Sequence, residues 1–499
     1  MIGLTIAFIS MIIFLCTKSI QIGFIQNVSL TPESAYPKLY NGSCEQCVCA
    51  MINSNKTIVS LNCYRTNSTC HLFGKALQTS RSYLNTTSNT TFYFLQLPPQ
   101  DFVSLSWSFD GTFQENLHQV DTVQVKNVSF ASPGIYGRGS ALALNGSQYL
   151  ITSMSYFDVT SIGFTFEMWI YANRITNISV HQGLVGQCIY QNASSCLHIS
   201  IKSNYTYLGF YNNDCAGITT IYIHTWYHVA FVYNATSLRQ TVFVDGKVSC
   251  NGSASALNPQ GSTPLTIGTV IERTPARSYS GYLDQLSFVN RPKFSSEILN
   301  DATLVFYFAF KNGSFLDSGS NGMLGTPANM IVINDTLLFN QTSSSFEIET
   351  FMLVNKSLSV SLWINPFSTN NRTIVHTSDN FTSWDMIAFD DQNQLTLQTE
   401  YNQTMLIGPK LVLHVWTHIV QTYFANGSVV LYINGTLYNQ TESSYYPASC
   451  QVYTMILGDC VQRLGTCNRS SYEGFMDDVR VYTRNLDLST IQSLRNDRN

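Results

Sequence analysis

Charge is scarce in this chain. Asp, Glu, Lys and Arg make up 11% of its 499 residues, against about 25% in an ordinary soluble domain. The formal net charge is -4, and no basic run or stripe occurs, which argues against a nucleic-acid partner. Beyond the N-terminus no apolar run approaches the roughly 20 residues that cross a bilayer. The polar tail Arg495-Asn496-Asp497-Arg498-Asn499 does not fit a GPI signal. Catalytic signatures are also missing: there is no Gly-x-Ser-x-Gly elbow and no His-Glu-x-x-His.

What the chain has instead is Asn-x-Ser/Thr. Twenty-four such sequons lie between Asn27 and Asn468, where about eight or nine would arise by chance. Attached sugar would supply the hydration that side-chain charge does not. The expectation is a secreted or surface-displayed glycoprotein, with Asn145, Asn234, Asn340 and Asn434 among the acceptors. The N-terminus fits that reading. Ile2 to Cys16 is nearly unbroken apolar sequence, the length of a signal-peptide core. Residues 1–19 are expected to be a signal peptide. The alternative is an uncleaved anchor extended through Ile25, the chain's only expected contact with a membrane.

The 13 cysteines cluster. Once Cys16 leaves with the leader, twelve remain: Cys44, Cys47, Cys49, Cys63 and Cys70; Cys188, Cys196, Cys215 and Cys250; Cys450, Cys460 and Cys467. Twelve in an oxidising compartment reads as a disulfide framework. Groups of five, four and three imply one bridge between the outer groups or two unpaired thiols. Zinc at Cys44-x-x-Cys47-x-Cys49 lacks the second ligand pair at a defined spacing.

The rest of the chain is duplicated. Phe164-Thr-Phe-Glu-Met-Trp169-Ile matches Leu358-Ser-Val-Ser-Leu-Trp363-Ile, and His224-Thr-Trp226-Tyr-His228 matches His414-Val-Trp416-Thr-His418. Val242-Phe-Val-Asp245-Gly246 matches Leu431-Tyr-Ile-Asn434-Gly435, and Gly281-Tyr-Leu-Asp284 matches Gly474-Phe-Met-Asp477. Offsets of 189 to 194 make these tandem domains, not solenoid repeats. Short alternating runs rich in Val, Ile, Tyr, Phe and Thr predict strands. Asp245-Gly246 and Asn434-Gly435 predict type I′ hairpin turns. Only Ser295 to Leu299 and Ser489 to Leu494 look helical. Each copy is therefore expected to be an all-β sandwich or jelly roll.

The order Trp-x-His, hairpin Asp/Asn-Gly, Gly-x-x-Asp, Arg and short helix resembles the laminin-G-like jelly-roll domains, which belong with the concanavalin A-like lectins and the pentraxins. The resemblance spans roughly Phe102 to Leu494, taken twice. It implies two tandem concanavalin A-like sandwiches, at residues 101–300 and 301–499, after a Cys-rich module at 20–100. That module's Cys44 to Phe73 segment resembles part of a PAN/apple-like domain.

Candidate sites follow. Pentraxin-like relatives place calcium ligands just after a late strand. The corresponding stretches are Gly268-Thr269-Val270-Ile271-Glu272 and Gly458-Asp459-Cys460-Val461-Gln462. The second offers Asp459 as a metal ligand, with Gln462 as a second candidate, and calcium, which wants six to eight oxygens, is the one cofactor left open. Tyr445 and Tyr446 sit in a loop and could stack on sugar rings. Asp284 and Asp477 read as carboxylates accepting turn hydrogen bonds. His224/His228 and His414/His418 read as strand residues, about 13 Å apart along the chain and unable to grip one ion, with Trp226 and Trp416 as core aromatics. Glycoside hydrolases on related sandwiches need paired carboxylates; the nearest pairs are Glu347/Glu349 and Asp390/Asp391, the latter reading as a hairpin turn. The expected role is non-catalytic recognition of glycans or extracellular glycoproteins. The alternatives are a structural ectodomain without a small-ligand site and, third, a glycoside hydrolase.

Overall fold

The computed structural model describes residues 7–10, 21–32, 38–54, 58–74, 82–94, 104–116, 122–125, 127–152, 163–175, 181–188, 194–257, 264–270, 277–352, 357–378, 383–398, 404–425, 427–441, 452–460 and 469–497. The N-terminal module is a six-stranded sheet in the order Ala7–Ser10, Gln21–Pro32, Ser82–Phe94, Ile58–Tyr64, Thr69–Gly74, Lys38–Asn41. The first of these strands comes from the expected leader; the remainder of residues 1–20 lies outside the described residues. Helix α1 (Cys44–Asn53) starts at a capping box formed by Ser43 and Gln46, which satisfies two otherwise orphaned N–H groups. Its buried stripe is Cys44, Cys47 and Met51, the i, i+3, i+7 positions of one helix face. Disulfides Cys44–Cys63 and Cys47–Cys70 staple that face to the sheet.

Cys49 is a correction. Expected among the bridged cysteines, it is a free and exposed thiol. It follows Cys47 by two residues, which on a helix of 3.6 residues per turn points it away from the stapled face. Of the remaining cysteines, Cys188–Cys196 and Cys215–Cys250 are bridged within the first copy. Cys460 is also disulfide-bonded, while Cys450 and Cys467 lie outside the described residues.

Both copies are two-sheet sandwiches with the same strand order. In copy 1, one sheet runs Lys247–Ser253, Arg239–Val244, Trp226–Asn234, Gly163–Ala172, Ser280–Val289, Ala141–Asn145, Ser129–Ala131. In copy 2 the equivalent order is Thr436–Gln440, Val429–Ile433, Thr417–Tyr423, Leu358–Pro366, Gly474–Tyr482, Thr336–Phe339, Ile331–Ile333. Alternation sends Phe164, Phe166, Met168 and Ile170 into the first core, with Leu142, Leu144, Leu283 and Phe288 beside them. Val360, Leu362 and Ile364 do the same in the second. Each such side chain, fully buried, contributes about 1.5–3 kcal/mol. The predicted hairpins are present: Asp245/Gly246 and Asn434/Gly435 have φ of 48°, 72°, 49° and 75°, the two positive values a type I′ turn requires.

Both sheets named above are also covered on their outer side. Helix α2 (Ser295–Thr303) puts Ile298 on Ala230, Val232 and Phe243. Helix α3 (Leu488–Asn496) puts Ile491 and Leu494 on Val420 and Tyr482.

No linker separates the copies. Helix α2 ends at Thr303, and the first strand of copy 2, Leu304–Phe308, begins at the next residue. Thr483 N–H donates to Thr303 O at 2.7 Å, and Arg484 Nε donates to Thr303 Oγ1 at 3.1 Å. A second contact comes from the turn at Ile135–Gly137. Ile135 and Tyr136 are buried in the hydrophobic cluster of copy 2 that includes Phe351. Arg138 donates to Asn321 O and Gly322 O at 2.8 and 2.6 Å and pairs with Glu349 at 2.9 Å.

Candidate functional site

Asp459 follows Gly458, which has φ 83°, at the end of the strand Val452–Leu457. It is half-buried, and its Oδ1 accepts the Cys460 N–H at 2.8 Å. Burial raises its carboxyl above the usual range. The other acid in this neighbourhood, Asp385, is already occupied. It accepts from His376 Nδ1 at 2.8 Å, Arg469 Nη1 at 2.8 Å and Thr373 Oγ1 at 3.2 Å. Burial would raise Asp385, but His376 and Arg469 outweigh it and hold the carboxyl below its ordinary value. Asp385 is thus already neutralised by a guanidinium and an imidazole. In copy 1 the equivalent residues Thr269 and Val270 are buried and offer no carboxylate. Among the described residues this donor set does not fit calcium, which needs several carboxylate oxygens. Cys188, Cys196 and His198 lie within 4.8 Å of one another, but the two sulfurs are bonded to each other and are not thiolate ligands.

The remaining polar candidates are structural. Asp284 Oδ2 accepts the Ile135 N–H and Oδ1 the Gln285 N–H, both at 2.8 Å; burial pushes its carboxyl up to about 8. Its counterpart Asp477 accepts the Asp478 N–H at 2.8 Å. Glu349 is held by Arg138 and by the Leu324 N–H. Asp390 closes the expected hairpin, accepting from Gln392 and Gln394 N–H at 2.9 and 2.7 Å. Glu167, buried, pairs with Lys293, which also holds Asp301 at 2.9 Å. This network anchors α2 to the sheet. Copy 2 replaces it with a 3.0 Å contact between Ser361 Oγ and His418 Nε2.

Two expectations need correcting. His224 and His414 are not strand residues: both sit in turns, at φ 58° and 59°, while His228 and His418 are buried on the strands that follow. Trp226 and Trp416 are not inside the cores of their own copies: both are half-exposed, and Trp226 packs at the edge of the cluster that holds Trp169, Tyr136 and the copy 2 core. Phe231 and Val229 face the core, so alternation turns Trp226 and His228 to the outer face. The buried tryptophans are Trp107, Trp169, Trp363 and Trp384. Tyr445 and Tyr446 lie outside the described residues. Asn145, Asn340 and Asn434 are exposed and Asn234 is half-buried. Asn434 has a second task, its Oδ1 accepting the His418 N–H at 2.9 Å as Asp245 Oδ1 does for His228.

The outer placement of Trp226 exposes a feature not anticipated from sequence. Directly opposed residues on adjacent strands form one row: Trp226, Tyr171, Tyr282, Ala143, Ser129. Tyr171 and Tyr282 stack at 5.3 Å, and Tyr171 meets Trp226 at 5.4 Å. His224 closes one end, 5.9 Å from Tyr171. All three rings are half-exposed, and the row continues in two small residues, half-buried Ala143 and exposed Ser129. Arg174, exposed, makes no hydrogen bond or ion pair among the described residues. Its Nη2 lies over Gly146, 3.4 Å from where a Cβ there would sit. The copy 2 row is Asn365, Phe475, Leu338, Ile331, with Trp416 6.2 Å from Phe475. Phe367 packs on Phe475 at 5.4 Å, and Leu338 and Ile331 stand where copy 1 has Ala143 and Ser129.

The family profile of the concanavalin A-like lectin/glucanases superfamily, laminin G type, matches residues 144–299 and again 340–492. The chain belongs to that family. Solved structures similar to it include domain 4 of AbnA, a GH43 extracellular arabinanase from Geobacillus stearothermophilus, in complex with arabinotriose. It shares 20% identity over 38% of this chain and 98% of its own, with a TM-score of 0.31. The ligand binding domain of botulinum neurotoxin serotype D, in complex with N-acetylneuraminic acid, shares 16% identity over 40% of this chain and 52% of its own, with a TM-score of 0.32. A heptameric SAP-like pentraxin from Limulus polyphemus shares 18% identity over 32% and 79%, with a TM-score of 0.26. No curated protein matches the sequence.

Proposed function

We propose that the protein is a non-catalytic recognition module that binds carbohydrate, free or on extracellular glycoproteins, through the outer aromatic row of copy 1. The observation that carries this reading is the half-exposed series Trp226, Tyr171, Tyr282 ending on Ala143. Sugar rings present flat C–H faces, and Tyr and Trp offer an apolar body with a polar tip. Membership of the concanavalin A-like superfamily is compatible with the role but does not select the ligand. A secreted location is part of the proposal. It is supported by the buried disulfides and by the excess of sequons, with the apolar leader removed on export. No described helix is long and apolar enough to cross a membrane. The non-catalytic reading is supported by Glu349 being held by Arg138 and Glu167 by Lys293 beneath α2.

The test is a glycan array probed with the secreted protein, before and after removal of its own N-glycans, with calcium and with chelator. The expected result is binding in at least one glycan state that survives chelator and is lost in the Tyr171→Ala, Tyr282→Ala double variant. A blank array in both states would contradict the reading and favour a structural ectodomain, for which the linkerless junction at Thr303–Leu304 is the supporting observation.

A further inference from the structure

The copy 1 row has a neighbour on its own face. Leu142 and Leu144 point into the core, so Ala143 and Asn145 share the outer side of that strand. Ala143 stands opposite Tyr282, and Asn145 opposite Ser280. Asn145 is therefore the diagonal neighbour of Tyr282, about 7–8 Å away. Asn145 begins the sequon Asn145-Gly146-Ser147. Its Oδ1 accepts from Ser147 N–H at 3.1 Å and Ser147 Oγ at 2.9 Å. Its Nδ2, the atom that carries an N-linked sugar, makes no hydrogen bond among the described residues, and the residue is exposed.

We infer that the first occupant of the copy 1 row is the N-glycan carried by Asn145 of the same chain. The inference rests on the proposed carbohydrate role of the row and names its ligand. A glycan leaving Nδ2 emerges on the face that bears Tyr282, Tyr171 and Trp226. The small side chains of Ala143 and Ser129 leave the adjoining ground open. The innermost sugar rings and their acetamido methyls can lie over these small residues against the aromatic faces, anchored at near-zero cost in translational freedom because the ligand is tethered. Copy 2 serves as an internal control. Asn340 follows Phe339, which pairs with Gly474 as Leu144 pairs with Gly281, so it occupies the place of Asn145. There Leu338 and Ile331 stand in the places of Ala143 and Ser129, and Asn365 replaces Tyr171. The Asn340 glycan meets Phe475, packed on Phe367 and Trp416, without a second ring in the place of Tyr171. The tethered glycan would compete with external sugar, so the site is self-masked until that glycan is trimmed or absent.

The experiment uses the full chain from a eukaryotic secretory host, with peptide mapping of each sequon. Under native conditions, endoglycosidase is expected to release the Asn145 glycan about fivefold more slowly than the Asn340 glycan, the worth of one aromatic stacking contact. Tyr282→Ala should abolish the difference. So should Ala143→Leu, which copies Leu338 of copy 2 and leaves every aromatic in place, covering the case in which Tyr282→Ala does not fold. Asn145→Gln should raise array binding about tenfold over the parent by removing a tethered competitor. An unmodified Asn145, or release as fast as at Asn340 in the parent, overturns the inference. Equal array binding by parent and Asn145→Gln, both lost with Tyr171→Ala, overturns it while leaving the carbohydrate reading intact. If no form binds sugar and release rates are equal, both fail together.

Discussion

Arg138 of the first sandwich pairs with Glu349 of the second at 2.9 Å, while its Nη1 donates to two carbonyl oxygens of the same neighbour. With the direct junction at Thr303–Leu304, this gives the two copies two points of attachment. Arg138→Ala is expected to cost on the order of 1–3 kcal/mol, because it strands acceptors at a partly buried contact. The effect should appear as splitting of one thermal unfolding transition into two. A single unsplit transition at the parent temperature would show that the clamp does not couple the copies.

The two hairpin glycines differ in their surroundings. At Gly246 a Cβ would meet Leu299 Cα at 2.8 Å, whereas at Gly435 the nearest atom is Arg495 Cδ at 3.0 Å, on a flexible side chain. Both substitutions to Ala carry the αL penalty of about 1–2 kcal/mol. Gly246→Ala should cost more than Gly435→Ala, by roughly a further 1–3 kcal/mol of overpacking against α2. Chemical denaturation of the two variants checks the order.

Asp245 and Asn434 do the same work with different pH dependence. Burial pushes the Asp245 carboxyl up to about 6. A raised folded-state value means the folded protein holds the proton more tightly. Its contribution is present in full below about pH 4 and is lost as pH rises to about 6, with no further change above. Asp245→Asn, which copies Asn434, keeps the acceptor for the His228 N–H and removes the titration. Stability of the variant should exceed that of the parent by up to about 3 kcal/mol at pH 7 and match it near pH 4. A parent-like pH profile in the variant would assign the dependence elsewhere.

Cys49 is exposed on α1 while Cys44 and Cys47 are bridged beneath it. A maleimide applied to the folded protein should label Cys49 without reductant or denaturant. An unlabelled Cys49 peptide would mean that it pairs in the secreted protein.

Much of this architecture was readable from the residues. The duplication, the strand-rich copies and the Asp245-Gly246 and Asn434-Gly435 turns depend on local chemistry and period-two alternation, which the sequence displays directly. Alternation does not say which face of a sheet is wet. Here α2 and α3 cover part of the outer faces, and the second copy's cluster takes in Trp169 beside Tyr136, while Trp226 and Trp416, on the same side of the sheet, stay half-exposed. The three aromatics of the row come from distant strands, and only the pairing of Tyr171 with both Trp226 and Tyr282 makes them one surface. An available signal was the outward phase of Trp169 and Tyr171 within the run Phe164 to Ala172. Asp459 was found by position, but its neighbourhood was not legible, because His376, Asp385 and Arg469 converge through long-range register. Among the described residues the acid nearest it, Asp385, is held by His376 and Arg469; Gln462 lies outside them.

The most direct test of the central claim exploits the difference between the copies at a single position. Tyr171 in the first row corresponds to Asn365 in the second. Calorimetric titration of the Asn145→Gln protein with the best array ligand is expected to give chelator-independent binding. Tyr171→Asn should weaken it at least about tenfold, in line with losing two ring contacts, with no change in unfolding temperature. Affinity unchanged by Tyr171→Asn would contradict the account and remove the aromatic row as the binding site.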